Sequence, residues 1–252
     1  MSSPFRLENQ LALVTGGGTG LGLATCQALI EAGARVVMTG RREELLQQAC
    51  LRLGEMAHYI CHDLTNLAAI PALVDNIEDR FGPLDIVINN AGTHLKKPAV
   101  DTSDTELAEV MQIHLYGSFA LSRECGRRML ERQQGSIVMI LSMAALFGIP
   151  QISGYTAAKS AMLGLTRALC SEFSPLGVRV NAVAPGWIET DLSRYALAGD
   201  PARKEKILGR TPMGRFGEPL DIGYAVVYLC SPAARFVTGV VLPVDGGASI
   251  GF

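Results

Sequence analysis

Tyr155 and Lys159 stand four residues apart in Gly154-Tyr-Thr-Ala-Ala-Lys-Ser160, and Ser142 precedes the tyrosine by 13 positions at the end of an apolar run. Residues at i and i+4 share one face of a helix, so an ammonium there can sit beside a phenol and favour its ionised form. A tyrosine whose ordinary pKa is about 10 then becomes an acid or base usable closer to neutrality. With the serine hydroxyl, the trio is an apparatus for moving a proton onto or off a carbonyl oxygen. Tyr-x-x-x-Lys alone also describes a core tyrosine beside a solvated lysine, so its meaning rests on the rest of the chain.

The positioning elements begin at Leu11-Ala-Leu-Val-Thr15, a strand-like run leading into Gly16-Gly-Gly-Thr-Gly-Leu-Gly22. A strand, clustered glycines and a helix start present bare backbone N–H groups to a phosphate, helped by the positive end of the helix. Leu21, Leu23, Ala24, Ala28 and Leu29 continue with helical spacing, Gly33 suits a C-cap, and Arg35-Val-Val-Met-Thr39 supplies the next strand. This β-α-β order predicts a dinucleotide site rather than a plain turn. A site selective for NAD places Asp or Glu at the end of the second strand, against the ribose 2′-hydroxyl. Gly40-Arg41-Arg42 stands there instead. Two arginines at a helix N-terminus oppose the helix dipole, whereas a bound 2′-phosphate would explain them. The expected cofactor is therefore NADP(H), with NAD(H) left open; a solvated turn is the alternative.

Together these residues resemble the short-chain dehydrogenase/reductase family over nearly the whole chain. Gly16, Gly20 and Gly22 match its Thr-Gly-x-x-x-Gly-x-Gly loop, and Asn89-Asn-Ala-Gly92, Ser142, Tyr155, Lys159 and Pro185-Gly186 followed by Thr190 match its later motifs in order. The resemblance implies hydride exchange at a carbonyl or carbinol carbon. Tyr155 would give or take the proton, Ser142 would hydrogen-bond the oxygen, and Lys159 would lower the tyrosine pKa and bind the nicotinamide ribose. It further implies that Gly16, Thr19, Gly20, Leu21 and Gly22 cradle the phosphates, with Arg41 and Arg42 near the ribose. Asp63 would hold the adenine amino group beside Leu64; its alternative is a helix N-cap for the segment from Asn66. Asn89 and Asn90 would tie the fourth strand to its neighbours, with Asn90, Ala91 and Gly92 bordering the nicotinamide ribose. Pro185 and Gly186 would border the cofactor, and Thr190, with the backbone near Ile188, would meet the carboxamide. One departure stands out: His114, in Met111-Gln-Ile-His-Leu-Tyr-Gly117, occupies the place of the family's usual asparagine. In the family a backbone carbonyl of that helix holds a water linking the lysine to solvent. His114 is accordingly a candidate catalytic residue, or else a neutral helix histidine.

Strand-like runs at about 11–15, 35–39, 56–61, 84–88, 136–141, 178–184 and 238–244 alternate with helical patterns. The expected fold is α/β, a Rossmann-like, doubly wound parallel sheet of about seven strands with helices on both faces. Residues 1–252 read as one domain, without linker or repeat. The Gly- and Pro-rich stretch at about 187–219 breaks the rhythm and reads as a substrate lid.

The composition narrows the class. A 252-residue chain that is 48% hydrophobic can bury a large core, and a net charge of −2 argues against nucleic-acid or anionic-membrane surfaces. No run is long and apolar enough for a membrane span, and the first ten residues lack a signal-peptide apolar region. Cysteines 26, 50, 61, 125, 170 and 230 show no metal-like spacing and read as core residues in a reducing cytoplasm. No metal is expected.

For the substrate, a small carbonyl or alcohol, two features lean toward acidity. One is His94-Leu-Lys-Lys97; the other is Arg194, Arg203, Lys204, Lys206 and Arg210 in the lid stretch. A solvated face accounts for them equally well. The chain looks like gluconate 5-dehydrogenases, which act on a keto sugar acid, and also like 3-oxoacyl-thioester reductases. A non-catalytic nucleotide sensor or scaffold is a further class, though it would be expected to lose the tyrosine or lysine. A homotetramer or homodimer is expected, with the apolar C-terminal stretch as a subunit contact.

Overall fold

The computed structural model describes residues 3–190, 194, 199 and 201–251. Its strands are β1 (Leu11–Thr15), β2 (Arg35–Gly40), β3 (Ala57–Cys61), β4 (Ile86–Asn89), β5 (Gly135–Ile140), β6 (Val178–Pro185) and β7 (Val241–Val244). They form one parallel sheet in the order β3-β2-β1-β4-β5-β6-β7. Parallel neighbours need crossovers, and helices supply them. These are α1 (Gly20–Glu31), α2 (Glu43–Leu53), α3 (Ile70–Phe81), α4 (Asp104–Met111), α5 (Ser118–Arg132), α6 (Ser153–Phe173), α7 (Pro201–Arg210) and α8 (Pro219–Cys230).

Side chains alternate between the two faces of the sheet. Ala12, Val14, Val36, Met38, Ile88 and Val138 pack with α1 and α8, while Leu11, Leu13, Val37, Val87, Ile137 and Met139 pack with α3, α5 and α6. Both faces are covered, which is why the strands are almost continuously apolar. Each fully buried Leu or Ile among them contributes about 1.5–3 kcal/mol by leaving water. The pairing of α1 with α8 is close: a Cβ on Gly223 would lie 2.8 Å from Ala28 Cβ and 2.9 Å from the Ala24 carbonyl.

The chain winds outward from β1 to β3, then returns to lay β4 on the other side of β1. Leu13 therefore pairs with Val37 on one side and Val87 on the other. That reversal opens a crevice at the carboxyl ends of β1 and β4, where ligands of such sheets bind.

Two strands differ from the expected ranges. β4 starts at Ile86 rather than near 84: the Leu84 N–H donates to the Glu78 carboxylate at 2.9 Å and its carbonyl accepts from Arg132 at 2.9 Å, so Leu84 joins no strand. β7 starts at Val241 rather than near 238: Thr238 Oγ1 accepts the Val180 N–H at 3.1 Å and Gly239 turns the chain at φ +75°. The cysteines also divide. All six are free thiols; Cys26, Cys125 and Cys230 are buried, Cys50 and Cys170 are half-buried, and Cys61 is exposed at the end of the edge strand β3.

Within the stretch 187–219, expected to form a lid, residues 191–193, 195–198 and 200 lie outside the described residues. The two ends of the stretch meet: Ile188 bridges Gly217, Glu189 N–H donates to the Gly217 carbonyl at 2.8 Å, and Gly217 N–H donates to Trp187 at 3.0 Å. Among the described residues no helix is long and apolar enough to cross a membrane.

Candidate active site

Thr15 closes β1 and stitches it to β4. Its hydroxyl donates to the Ile88 carbonyl at 3.2 Å and accepts the N–H groups of Asn90 and Ala91 at 3.0 and 2.9 Å. Asn90 Nδ2 donates back to the Thr15 carbonyl at 2.8 Å, and Asn89 Nδ2 donates to Ser122 Oγ on α5 at 2.9 Å. Both asparagines therefore tie β4 to its neighbours. Next to this seam Gly16 adopts φ +66°, a backbone region that favours glycine. A Cβ on Gly22 would overlap the Gly16 carbonyl oxygen, and one on Gly17 would lie 2.7 Å from Met38 Cγ. The first turn of α1 has no acidic residue, and its N-cap Thr19 makes no side-chain cap bond. The opening N–H groups of α1 are thus left for a ligand, and the tight glycine cradle fits the diphosphate of a dinucleotide.

At the end of β2, Arg41 lies outside α2 and Arg42 is its N-cap residue, both exposed. The first helical turn holds Glu43 and Glu44, which complement the dipole. The unfavourable helix electrostatics expected from the two arginines are offset within the helix itself. Asp63 Oδ1 accepts the Thr65 N–H at 3.0 Å and its hydroxyl at 2.8 Å. Thr65 first, and Arg41 as a lesser cause, hold this carboxyl below the usual range. It caps Thr65 locally, not the helical segment after Asn66. Leu64 packs in the core, where a Cβ on Gly117 would lie 2.8 Å from its Cγ.

Ser142 follows β5 and caps a short 3-10 turn, its Oγ accepting the Ala144 N–H at 3.1 Å. Tyr155 lies in the first turn of α6, with Lys159 one turn later. The structure brings the three together. Burial pushes the Tyr155 phenol up from its ordinary value, and a hydrogen bond with Ser142 is what pulls it down. Lys159, 3% exposed, donates to the Ile140 carbonyl at 2.6 Å, and its Nζ is 5.6 Å from the centre of the Tyr155 ring. Burial lowers its pKa to about 7. Burial and the Ser142 hydrogen bond are thus the causes that move the phenol here, and the Ile140 carbonyl holds the lysine.

His114 lies in a π-helical turn, Gln112–Gly117, between α4 and α5. Such a turn widens the helix by one residue and displaces its hydrogen bonds. His114 Nε2 lies 2.8 Å from the Thr93 carbonyl, and Nδ1 is buried without a partner. A Cβ on Gly92 would fall onto the imidazole. Burial first, then Lys159, lowers the His114 pKa to about 3, so the imidazole is neutral near pH 7. Its ring meets Tyr155 edge-on at 5.4 Å; His94 does the same from the other loop at 4.9 Å.

The last segment is equally close. Gly186 N–H donates to the Val244 carbonyl at 3.0 Å, and a Cβ there would lie 2.5 Å from Asp245 Cα. Asp245 accepts the N–H groups of Gly247 and Ser249 at 2.9 and 2.8 Å, bracing the loop behind Pro185. Ile188 is buried, and Thr190 is half-exposed with its carbonyl accepting the Arg194 N–H at 2.9 Å.

The family model described as enoyl-(acyl carrier protein) reductase matches residues 16–249. The chain belongs to the short-chain dehydrogenase/reductase family. Among similar members, galactitol 2-dehydrogenase (L-tagatose-forming) of Cereibacter sphaeroides is 40% identical over 98% of this chain and 97% of its own. The 3-oxoacyl-[acyl-carrier-protein] reductase of Vibrio cholerae serotype O1 is 36% identical over 96% of this chain and 98% of its own. The crystal structure of a gluconate 5-dehydrogenase from Burkholderia cenocepacia, in complex with NADP and tartrate, is 34% identical with a TM-score of 0.94, covering 99% of this chain and 98% of that one. This short-chain dehydrogenase/reductase is an oxidoreductase that acts on secondary alcohols or ketones.

Its basic residues divide in a way that the sequence does not reveal. Lys97 is paired with Glu106 at 2.9 Å, and Arg194 with Glu189 at 3.7 Å. Arg210 lies over the Phe147 ring at 4.2 Å and donates to the Ala248 carbonyl at 3.1 Å, joining α7 to the loop behind Ser142. Lys204 and Lys206 are exposed. Arg203 and Lys96 act on His94. Two residues of this short-chain dehydrogenase/reductase were not singled out as site residues from sequence, Thr15 and Asp245, while His94 was named there as part of a basic stretch. Thr15 acts through partners more than 70 positions away, whereas Asp245 braces its own loop through Gly247 and Ser249 and meets Gly186 only in the fold.

Proposed function

We propose that this short-chain dehydrogenase/reductase interconverts a keto sugar acid and its hydroxy form with NADP(H), Tyr155 serving as acid or base. The observation that carries the reading is the convergence of Ser142, Tyr155 and Lys159 past the end of β5. Bound in the glycine cradle, NADP(H) supplies or accepts the hydride. In reduction Tyr155 passes its proton to the carbonyl oxygen as charge develops there, while the Ser142 hydroxyl orients that oxygen. Lys159, with a pKa of about 7, is close to half-protonated near neutrality. A hydroxyl acceptor placed beside it favours the ammonium, which then stabilises the phenolate left behind. His114 is uncharged and holds the Thr93 backbone; we assign it to geometry rather than to proton transfer.

Arg41 supports NADP(H): it is an exposed guanidinium at the end of β2, with no Asp or Glu at positions 40–42 to meet a 2′-hydroxyl. The relative solved with NADP and tartrate supports the cofactor and an acidic substrate. Reduction of a 3-oxoacyl thioester is the second reading, favoured by the Vibrio relative. We further propose a homotetramer or homodimer, supported by the exposed Met213, Phe236 and Ile250 around the C-terminal edge. The test is a screen of keto sugar acids, acyl thioesters and neutral ketones with NADPH and NADH, read by nicotinamide absorbance. Turnover of thioesters but not keto sugar acids refutes the first reading.

A further inference from the structure

Two loops meet beside Tyr155, and each carries a polar side chain without a hydrogen-bond partner. The loop after β4 lays the His94 imidazole edge-on against Tyr155, ring centres 4.9 Å apart and planes at 79°. The loop before α6 carries Gln151, four positions ahead of the same tyrosine. One backbone bond joins the loops: Lys97 N–H donates to the Gln151 carbonyl at 2.7 Å. Lys97 is itself fixed, its ammonium paired with Glu106 at 2.9 Å. Both His94 and Gln151 are exposed, and neither side chain is hydrogen-bonded among the described residues.

Gln151 also holds a backbone conformation that glutamine does not favour. It follows Pro150 in the turn before α6 with φ +67°, the left-handed region where such turns ordinarily carry glycine or asparagine. The other described non-glycine residues with positive φ are accounted for: Gln133 closes α5, and Asn9 is of a type that tolerates the region. Glycine at position 151 would make the same turn without strain. Strain retained beside Tyr155, under a side chain left unpaired, points to a role for the amide.

The chemistry of the two groups defines that role. Partial burial holds the His94 pKa below the ordinary histidine range, so the imidazole is uncharged near pH 7, with one nitrogen donating and the other accepting. An amide likewise donates and accepts. A hydroxyl does both as well, whereas a methylene does neither. The separation of 4.9 Å between the rings spans roughly three covalent bonds, so a hydroxyl flanking a carbonyl bound at Tyr155 falls within reach of His94.

We infer that His94 and Gln151 bind the hydroxyls that flank the reacting carbon, and that this pair selects polyhydroxylated ketones over ketones flanked by methylenes. The inference rests on the keto sugar acid reading, with Tyr155 as proton donor, and names the part of the sugar that is recognised. A site built to hydrogen-bond a substrate hydroxyl discriminates strongly against the analogue lacking it, because the polar groups of the site are then left unpaired.

The test uses the full chain with NADPH and three ketones: 5-keto-D-gluconate, its 4,6-dideoxy analogue, and L-tagatose, which keeps the hydroxyls and lacks the carboxylate. The wild type is expected to favour 5-keto-D-gluconate over the dideoxy analogue by at least about a hundredfold in kcat/KM. His94→Phe keeps an aromatic edge against Tyr155 but removes both nitrogens. That ratio should then fall about tenfold, the scale of one lost hydrogen bond, with KM taking most of the loss. His94→Gln, which restores a donor and an acceptor, should recover part of it. Gln151→Gly should lower the ratio similarly with a Tm no lower than wild type, which separates loss of the amide from damage to the turn. Equal losses on 5-keto-D-gluconate and the dideoxy analogue in His94→Phe would place the imidazole in support of the phenol alone and overturn the inference. A wild type that treats the two ketones alike would also overturn it. Turnover of L-tagatose that depends on His94, with none of 5-keto-D-gluconate, removes the acid from the substrate reading and leaves the hydroxyl pair standing. Turnover of a 3-oxoacyl thioester but of neither hydroxylated ketone overturns both.

Discussion

Replacing Lys159 with Met should stabilise the protein while ending its activity. The ammonium is buried, with one protein carbonyl, Ile140, within hydrogen-bond reach at 2.6 Å and the soft sulfur of Met162 at 3.9 Å. Its pKa falls from 10.5 to about 7 on burial. At about 1.4 kcal/mol per pH unit, this drop corresponds to roughly 4–5 kcal/mol charged against the folded state whenever the lysine is protonated. Methionine keeps the length and apolar stem of the side chain. It leaves the Ile140 carbonyl without that donor, a cost of about 1–3 kcal/mol. The net gain expected at pH 6 is about 1–4 kcal/mol, or several degrees in Tm for a chain of this size. The sign follows from the depressed pKa. Between about pH 7 and 10.5 the unfolded chain holds this proton and the folded chain does not, so wild-type stability rises with pH across that window. The advantage of Lys159→Met should be full below pH 7 and fade toward pH 10.5. Urea unfolding of both proteins at pH 6, 8 and 10, without cofactor, measures it. A variant less stable than wild type at pH 6, or a difference that does not vary with pH, would show that the buried ammonium is well compensated, and the reasoning would fail.

Tyr155→Phe should abolish turnover on every substrate and leave NADPH affinity near wild type, as titration of NADPH fluorescence would show; wild-type-like kcat would remove Tyr155 from proton transfer. Arg41→Asp should weaken NADPH more than NADH, by about 2 kcal/mol if a charge-assisted phosphate bond is lost; equal losses would refute the 2′-phosphate role. Gly92→Ala drives a methyl group onto His114 and should cost about 1–3 kcal/mol in overpacking. His114→Asn vacates that space, so in unfolding experiments the double variant should cost at least about 1 kcal/mol less than the two single losses together; simple additivity would contradict the contact.

The parts of the site written in local sequence were legible. The glycine loop, the β-α-β order and the Asn89-Asn90 tie all follow from what neighbouring residues demand of the backbone. Tyr155 and Lys159 were placed together by helical spacing, but spacing carries no information about desolvation, and the carbonyl that holds Lys159 belongs to β5, 19 residues earlier. Thr15 gives no signal in a strand of apolar residues, because its hydroxyl partners arrive from β4, more than 70 positions away. The π turn at Gln112–Gly117 has no proline, and its one glycine closes it rather than starting it. Its cause is tertiary, with His114 turned onto the Thr93 backbone. The basic residues of the lid stretch looked alike in sequence; only their partners, Glu189 for Arg194 and Phe147 for Arg210, separate them.

The placement of β1 between β2 and β4 also constrains how the molecule is made. A chain emerging in order can build β1, β2, β3 and their helices early, but one edge of β1 then remains unpaired until residues 86–89 exist. That edge is Leu11-Ala-Leu-Val-Thr15, buried along its whole length in the finished fold. Joining it requires a loop of about 70 residues to close, a slow step compared with local helix formation. During that interval the protein carries an apolar template open to pairing with other chains. The seam stitched by Thr15 and Asn90 is therefore where aggregation in synthesis should begin, and cofactor held across it would favour the closed seam over the open one.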